Sequence, residues 1–267
     1  MSCDSASVRY LESIDNVHRT TETAETPLYH LQFEKEKTGV LFTGPSLLDD
    51  LDISKFPVEF TISFWICPLT WDLGDQILVW AFNNIQIVKK RETIESLEYN
   101  YPVFSLDFAS DQPLNCEPES GNIENSEILL NQWNYISASK RLVFDDTYTM
   151  EMIEMHVIIS EYRAFPVPPD VLLDDEVYSD FLVCSINPTE ENLTKEPNPI
   201  ENFLVLGGRY DGVDLLEDTS FDGFLKEFKM TSIFLSPEAM LGNKYLTSPG
   251  YSPEFLIYFK LNETPDK

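Results

Sequence analysis

The sequence predicts an all-β protein, a two-sheet antiparallel β-sandwich, and three observations predict it. About a dozen short apolar runs with strand texture are spaced by turn residues, there is no βαβ rhythm, and no long amphipathic helix is evident. The clearest run is Phe60-Thr-Ile-Ser-Phe-Trp-Ile-Cys67, stopped by Pro68. Its Phe60, Ile62, Phe64 and Ile66 alternate with Thr61, Ser63, Trp65 and Cys67, so one row of large side chains faces a core. A length of 267 residues suits one large β domain.

Taken in order, residues 1–26 read as a polar, loosely ordered leader, and residues 27–263 as the domain. Leu28-Tyr-His-Leu-Gln-Phe33 and Gly39-Val-Leu-Phe-Thr-Gly44 are its first strand-like runs, divided by a charged turn. After the Phe60 strand come Gln76-Ile-Leu-Val-Trp-Ala-Phe82, Asn84-Ile-Gln-Ile-Val88 and Tyr101-Pro-Val-Phe-Ser-Leu-Asp-Phe108, with Asn83-Asn84 as a tight turn between the first two. Residues 110–127 read as a long exposed acidic loop, after which Asn131 to Ser139 resumes the sheet.

From Met150 to Ser160, Ile153, Met155, Val157 and Ile159 should point inward and Glu154 and His156 to solvent. His156 is therefore expected as a solvent-facing strand residue and not a ligand. Residues 170–199 read as a second acidic insertion around one short strand at Phe181-Leu-Val-Cys184. Phe203-Leu-Val-Leu-Gly-Gly208 ends in glycines that mark a bend or close backbone approach. In the run from Phe221 to Phe234, Phe224, Phe228, Met230 and Phe234 should share one face against Leu225, Glu227, Lys229 and Thr231. Ser236-Pro-Glu-Ala-Met240 is a short capped helix, and Phe255 to Leu261 closes the chain.

Composition narrows the functions. Hydrophobic residues at 43% supply a sizeable core. Against 18 Lys and Arg stand 46 Asp and Glu, a net charge of −28, which disfavours nucleic acid and anionic lipid and favours cations or basic partners. No apolar run reaches the roughly 18 residues of a membrane span. The first ten residues lack a basic and apolar secretory signal, so a chain that truly starts at Met1 is expected to be cytoplasmic. An excerpt of a longer chain would be expected at the cell surface or outside the cell. Cys3, Cys67, Cys116 and Cys184 are scattered without metal or redox spacing and read as thiols. Asn192-Leu-Thr194 and Asn262-Glu-Thr264 fit the glycosylation pattern, which matters only in a secreted chain.

The order of Phe60-Thr-Ile-Ser-Phe-Trp-Ile-Cys-Pro68, Leu130-Asn-Gln-Trp-Asn-Tyr-Ile136, Phe203-Leu-Val-Leu-Gly-Gly208 and Phe221-Asp-Gly-Phe-Leu-Lys-Glu-Phe228 with Phe234-Leu-Ser-Pro-Glu238 resembles the concanavalin A-like, laminin-G-like jelly-roll superfamily. The resemblance covers residues 28 to 261. It implies a twisted jelly roll, a scaffold that relatives use for carbohydrate binding, calcium-assisted adhesion, protein contacts and, in some branches, glycan hydrolysis. Fold does not choose among these. In the family pattern Trp65 and Trp133 are packing residues before they are sugar platforms.

Hydrolysis on this scaffold would need carboxylates at alternate positions of one strand, and no such spacing falls on a strand predicted here. Phosphate-loop, nucleophile-elbow and HExxH patterns are absent as well. No organic cofactor is implied. Calcium is the one inorganic candidate, at Asp211, Asp214, Glu217 and Asp218, four carboxylates on a glycine-opened loop whose bland explanation is a solvated acidic turn. Asp49, Asp50 and Asp52 form a weaker cluster, and Asp174, Asp175 and Glu176 a weaker one still. The reading is thus a non-enzymatic interaction module for protein or glycan partners, one unit of a larger protein or tandem assembly, with a lectin-like domain as the alternative and a glycan hydrolase third.

Overall fold

The computed structural model describes residues 19–21, 29–33, 40–43, 59–71, 74–108, 111–117, 123–144, 146, 150–161, 182–186, 203–210, 215–216, 221–245 and 255–259. They form the expected all-β sandwich of two antiparallel sheets.

One sheet holds β1 (Arg19–Thr21), β2 (Tyr29–Phe33), β15 (Gly223–Thr231), β4 (Phe60–Pro68), β9 (Asn134–Phe144), β10 (Met150–Glu161) and β11 (Leu182–Ile186) in that spatial order, with β16 (Phe255–Phe259) also on β15. The other runs β3 (Val40–Thr43), β12 (Phe203–Leu206), β5 (Gln76–Ala81), β6 (Ile85–Ile94), β7 (Leu97–Phe108) and β8 (Asp111–Cys116). A small ribbon pairs β13 (Arg209–Tyr210) with β14 (Leu215–Leu216). Among the described residues no helix is long and apolar enough to cross a membrane.

The alternation in β4 does what it predicts. Phe60, Ile62, Phe64 and Ile66 are fully buried between the sheets, Phe60 edge-on to Phe104 of β7 and Phe64 stacked near Phe228 of β15. Cys116 of β8 reaches across the core, its thiol donating to the Met155 carbonyl of β10 at 3.6 Å. Cys67 and Cys116 are buried thiols.

Several details depart from expectation. The outer row of β4 is buried too, because residues 232–245 lie over that face of the sheet. Thr61 Oγ1 donates to the Ile233 carbonyl (2.8 Å) and accepts from Leu235 N–H, Ser139 Oγ donates to the Leu235 carbonyl, and Tyr135 Oη donates to the Met240 carbonyl. The strap includes α1 (Pro237–Gly242), with Ser236 as its N-cap and proline at its start, as the sequence predicts. Under the strap Trp65 tilts against Tyr135, and Lys226 Nζ stands 3.9 Å from the Trp133 ring centre, so both indoles are packing residues.

The same strap corrects His156. It does point away from the core, yet it is buried, with Phe234 edge-on at 5.2 Å and its Nε2 2.7 Å from Glu154 Oε1. Burial alone would push the Glu154 carboxyl up; bonds and charge from Arg141 and His156 outweigh it and hold the carboxyl below its usual value.

In β15 the predicted facing holds for Phe228 and Met230 and fails for Phe224 and Leu225, and Phe234 packs on His156 at the outer face. The pairing with β4 slips between Lys226 and Lys229, and Glu227 has a left-handed φ of 52°. An extra residue in a strand exchanges its faces. Leu225 therefore faces the main core before the bulge, and Phe228 and Met230 face it after, while Phe224 packs with the Trp65 cluster. β2 and β16 both border β15 on the edge away from β4, opposite Gly223 to Leu225 and Phe228 to Thr231 respectively. β2 and β16 thus share one edge of β15 end to end.

Strand pairing falls within the expected leader and within the first expected loop. β1, within the leader 1–26, pairs with β2, and β8 lies within the expected loop 110–127. A 3-10 turn, Ile123–Ser126, follows β8, with Ile123 and Ser126 buried. In the acidic segment 170–199 the described part is β11.

At Gly223 two backbones come into close approach. The glycine φ is 151°, and a Cβ there would lie 2.4 Å from the Cys67 carbonyl oxygen and 2.8 Å from Pro68 Cα. Backbone cannot yield as a side-chain tip can. Gly223→Ala is therefore expected to destabilise the protein by about 2–4 kcal/mol, read as a lowered denaturant midpoint at unchanged m-value. A midpoint equal to wild type would contradict this account.

Candidate functional site

The end of β4 is where three separate segments meet. Pro68 pairs with Gly223, Leu69 N–H donates to the Asp222 carbonyl (3.0 Å), and Thr70 Oγ1 donates to Asp222 Oδ2 (2.5 Å). These bonds deliver Trp71 against Phe221, ring centres 6.1 Å apart, with Lys89 Nζ over the indole at 5.3 Å. Lys89, fully buried, donates to the Gly74 carbonyl.

The second segment, 127–133, is fastened at both ends. Ile128 N–H donates to the Asn100 carbonyl at 2.6 Å, and Asn131 N–H donates to the Pro68 carbonyl at 2.8 Å. Asn131 takes a left-handed φ of 57°, which asparagine tolerates. The Asn134 side chain accepts from Leu129 N–H and donates to the Leu129 and Gln132 carbonyls, so it holds the turn from inside.

The third segment is the β6–β7 hairpin, paired from Ile85 opposite Leu106 to Ile94 opposite Leu97. It brings Arg91 opposite Asn100, with Arg91 ion-paired to Glu98.

Together these segments enclose a cleft of about 520 Å³ lined by Trp71, Arg91, Glu98, Asn100, Glu127, Ile128 and Leu130. That volume lies within the roughly 300–1,000 Å³ of small-molecule sites. The lining joins one indole, one cation and two carboxylates to two aliphatic residues. Burial pushes the Glu127 carboxyl above its ordinary pKa. Trp71 Nε1 and Asn100 Oδ1 are buried without a hydrogen-bond partner.

None of these residues is singled out by the sequence. The predicted calcium set, Asp211, Asp214, Glu217 and Asp218, lies outside the described residues, as do Asp49, Asp50, Asp52, Asp174, Asp175 and Glu176. Among the described residues, no group of three or more His, Cys, Asp or Glu is placed to hold a metal ion. The sequence signal that could have led to the cleft is Trp71, a large aromatic just past the proline that ends β4.

No family model matches the sequence, and no curated protein matches it. Solved structures do. The enzymatically active domain of tailspike protein 2 from bacteriophage CBA120 is similar over 87% of this chain and 30% of that chain, at 10% identity and a TM-score of 0.51. The native heptameric SAP-like pentraxin from Limulus polyphemus is similar over 91% of this chain and 90% of that chain, at 13% identity and a TM-score of 0.45. The botulinum neurotoxin serotype G binding domain is similar over 86% of this chain and 45% of that chain, at 11% identity and a TM-score of 0.46. This chain spans less than half the length of the tailspike and toxin chains. At such identities the likeness is one of fold.

The hairpin that carries Arg91, Glu98 and Asn100 turns on Glu95 (φ 50°) and Ser96 (φ 74°), left-handed positions that favour Asn-Gly. Replacing Glu95-Ser96 by Asn-Gly is expected to stabilise the protein by about 1 kcal/mol in chemical denaturation. A loss of stability would show that this turn is not built as described.

Proposed function

We propose that this chain is a non-enzymatic β-sandwich interaction module, one unit of a larger protein or assembly, that makes protein or glycan contacts through the cleft at the end of β4. The observation that supports it is the cleft itself, walled by three segments that long-range backbone bonds tie to the sheets. Such anchoring preorganises a site and lowers the ordering cost of binding. The fold is neutral on this point, since its similar structures include a toxin binding domain and an enzymatically active tailspike domain.

One observation favours a second reading, glycan hydrolysis. Glu98 and Glu127 line the same cleft from different segments, and burial favours the protonated form of Glu127. Paired carboxylates with unlike environments are the equipment of glycosidases.

An array of immobilised glycans, run beside a reducing-end release assay on the same glycans, separates the readings. Retention without release is expected. Release that falls at least about a hundredfold in Glu127→Gln would instead establish the hydrolase. A flat array would leave only protein contacts. Reading the array again with chelator tests calcium at Asp211, Asp214, Glu217 and Asp218; binding unchanged by chelator removes the metal from the proposal.

A further inference from the structure

Far from the cleft, two cysteines meet where the borders of the two sheets come together. Among the described residues β8 borders one sheet and β11 the other, and the sandwich lays β8 against both β10 and β11. Cys116, which ends β8, stands opposite Phe104 of β7 and belongs to the main core, with no exposed surface. Its Sγ crosses to the facing sheet and donates to the Met155 carbonyl of β10 at 3.6 Å.

The partner of Met155 in the β10–β11 ladder is Cys184. Directly opposed residues of an antiparallel pair share one face of the sheet, with Cα atoms about 4.5–5.5 Å apart. Ile153, Met155 and Val157 all point into the core, and their partners are Ile186, Cys184 and Leu182, the every-second-residue row of β11. Cys184 therefore occupies a core-face position one strand spacing from the carbonyl that the Cys116 sulfur already touches. A bridge needs Cα atoms within roughly 7 Å and sulfurs entering the same space, which cysteines on two separate sheets seldom offer.

The same geometry excludes Cys67. It packs with Trp65, Trp133 and Met240 under the strap, on the opposite face of the sheet that carries β11. Cys3 lies outside the described residues.

We propose that Cys116 and Cys184 are a redox pair, oxidised by a small disulfide such as oxidised glutathione to a single bridge that clasps the border of β8 to the border of β11. The Cys184 thiolate attacks one glutathione sulfur, and the other glutathione leaves as a thiol. The Cys116 thiolate then attacks the Cys184 sulfur of the mixed disulfide, and the second glutathione leaves with the proton that Cys116 gave up. Two protein thiols are oxidised by two electrons in all, and one glutathione disulfide is reduced to two thiols. Position sets the order: Cys116 is sealed in the core, whereas β11 lies at a sheet border, where local opening costs least. The bridge closes a loop of about 70 residues and so restrains the unfolded chain. It is independent of what the cleft at the end of β4 binds.

The test incubates the full chain with oxidised glutathione at mildly alkaline pH, blocks the remaining thiols by alkylation and maps the peptides by mass spectrometry without reduction. One linked pair of peptides, holding Cys116 and Cys184, is expected, and the thiol count in denaturant should fall from four to two. The melting temperature should rise by about 10 °C, an increase that dithiothreitol reverses. Cys116→Ser should trap the first step, with one glutathione held on Cys184, and Cys67→Ser should form the bridge as the wild type does.

Linkage of either cysteine to Cys3 or Cys67 overturns the pairing. Four thiols persisting in the wild type, or glutathione held on Cys184 without transfer to Cys116, overturns the redox pair. A mapped Cys116–Cys184 bridge with the melting temperature unchanged or lowered overturns the clasp.

Discussion

The contact of Gly223 with the Cys67 carbonyl and Pro68 sets where β4 ends and which way the chain leaves it. Proline ends the strand because it cannot continue the ladder, and glycine opposite lets the two backbones close to a distance that a Cβ would forbid. From this contact the neighbouring bonds follow. Asp222 receives Leu69 and Thr70, Asn131 donates to Pro68, and Phe221 supports Trp71. The cleft is a consequence of how one central strand is terminated.

The rest of β4 is held from both sides. Toward the core its aromatic and aliphatic row meets the second sheet; away from it Thr61, Ser63, Trp65 and Cys67 lie beneath the strap of residues 232–245. The strap brings Lys244, whose Nζ donates to Ser160 Oγ and sits 5.2 Å from the Trp65 ring centre. Buried lysines over indoles satisfy charge where water is absent. A strand enclosed on both faces gives the corner at its end a rigid base, as a preorganised site requires.

Much of the sandwich was legible in the sequence because alternation and turn residues are local signals. The strands around Phe60, Gln76, Tyr101, Asn131, Met150, Phe203 and Phe221 are all present, as is the Ser236-capped helix. The features that escaped are long-range or strained. The Glu227 bulge exchanges the faces of β15 without any glycine to mark it, and the Glu95-Ser96 turn hides a long hairpin behind residues that rarely form one. His156 reads as exposed from its strand alone, since the strap that covers it arrives about 80 residues later. The cleft was invisible for the same reason. Trp71 and Glu127 lie in two connections and Asn100 in β7, and only the closure of both sheets brings them together.

The account therefore turns on whether the corner behaves as part of the core and not as loop. Native-state hydrogen exchange reads this at three amides: Leu69, bonded to Asp222; Ile128, bonded to Asn100; and Asn131, bonded to Pro68. The structure predicts that they exchange with the free energy of global unfolding, alongside the amides of β4 and β9. Exchange of these three several orders of magnitude faster, through local opening while β4 stays protected, would contradict it.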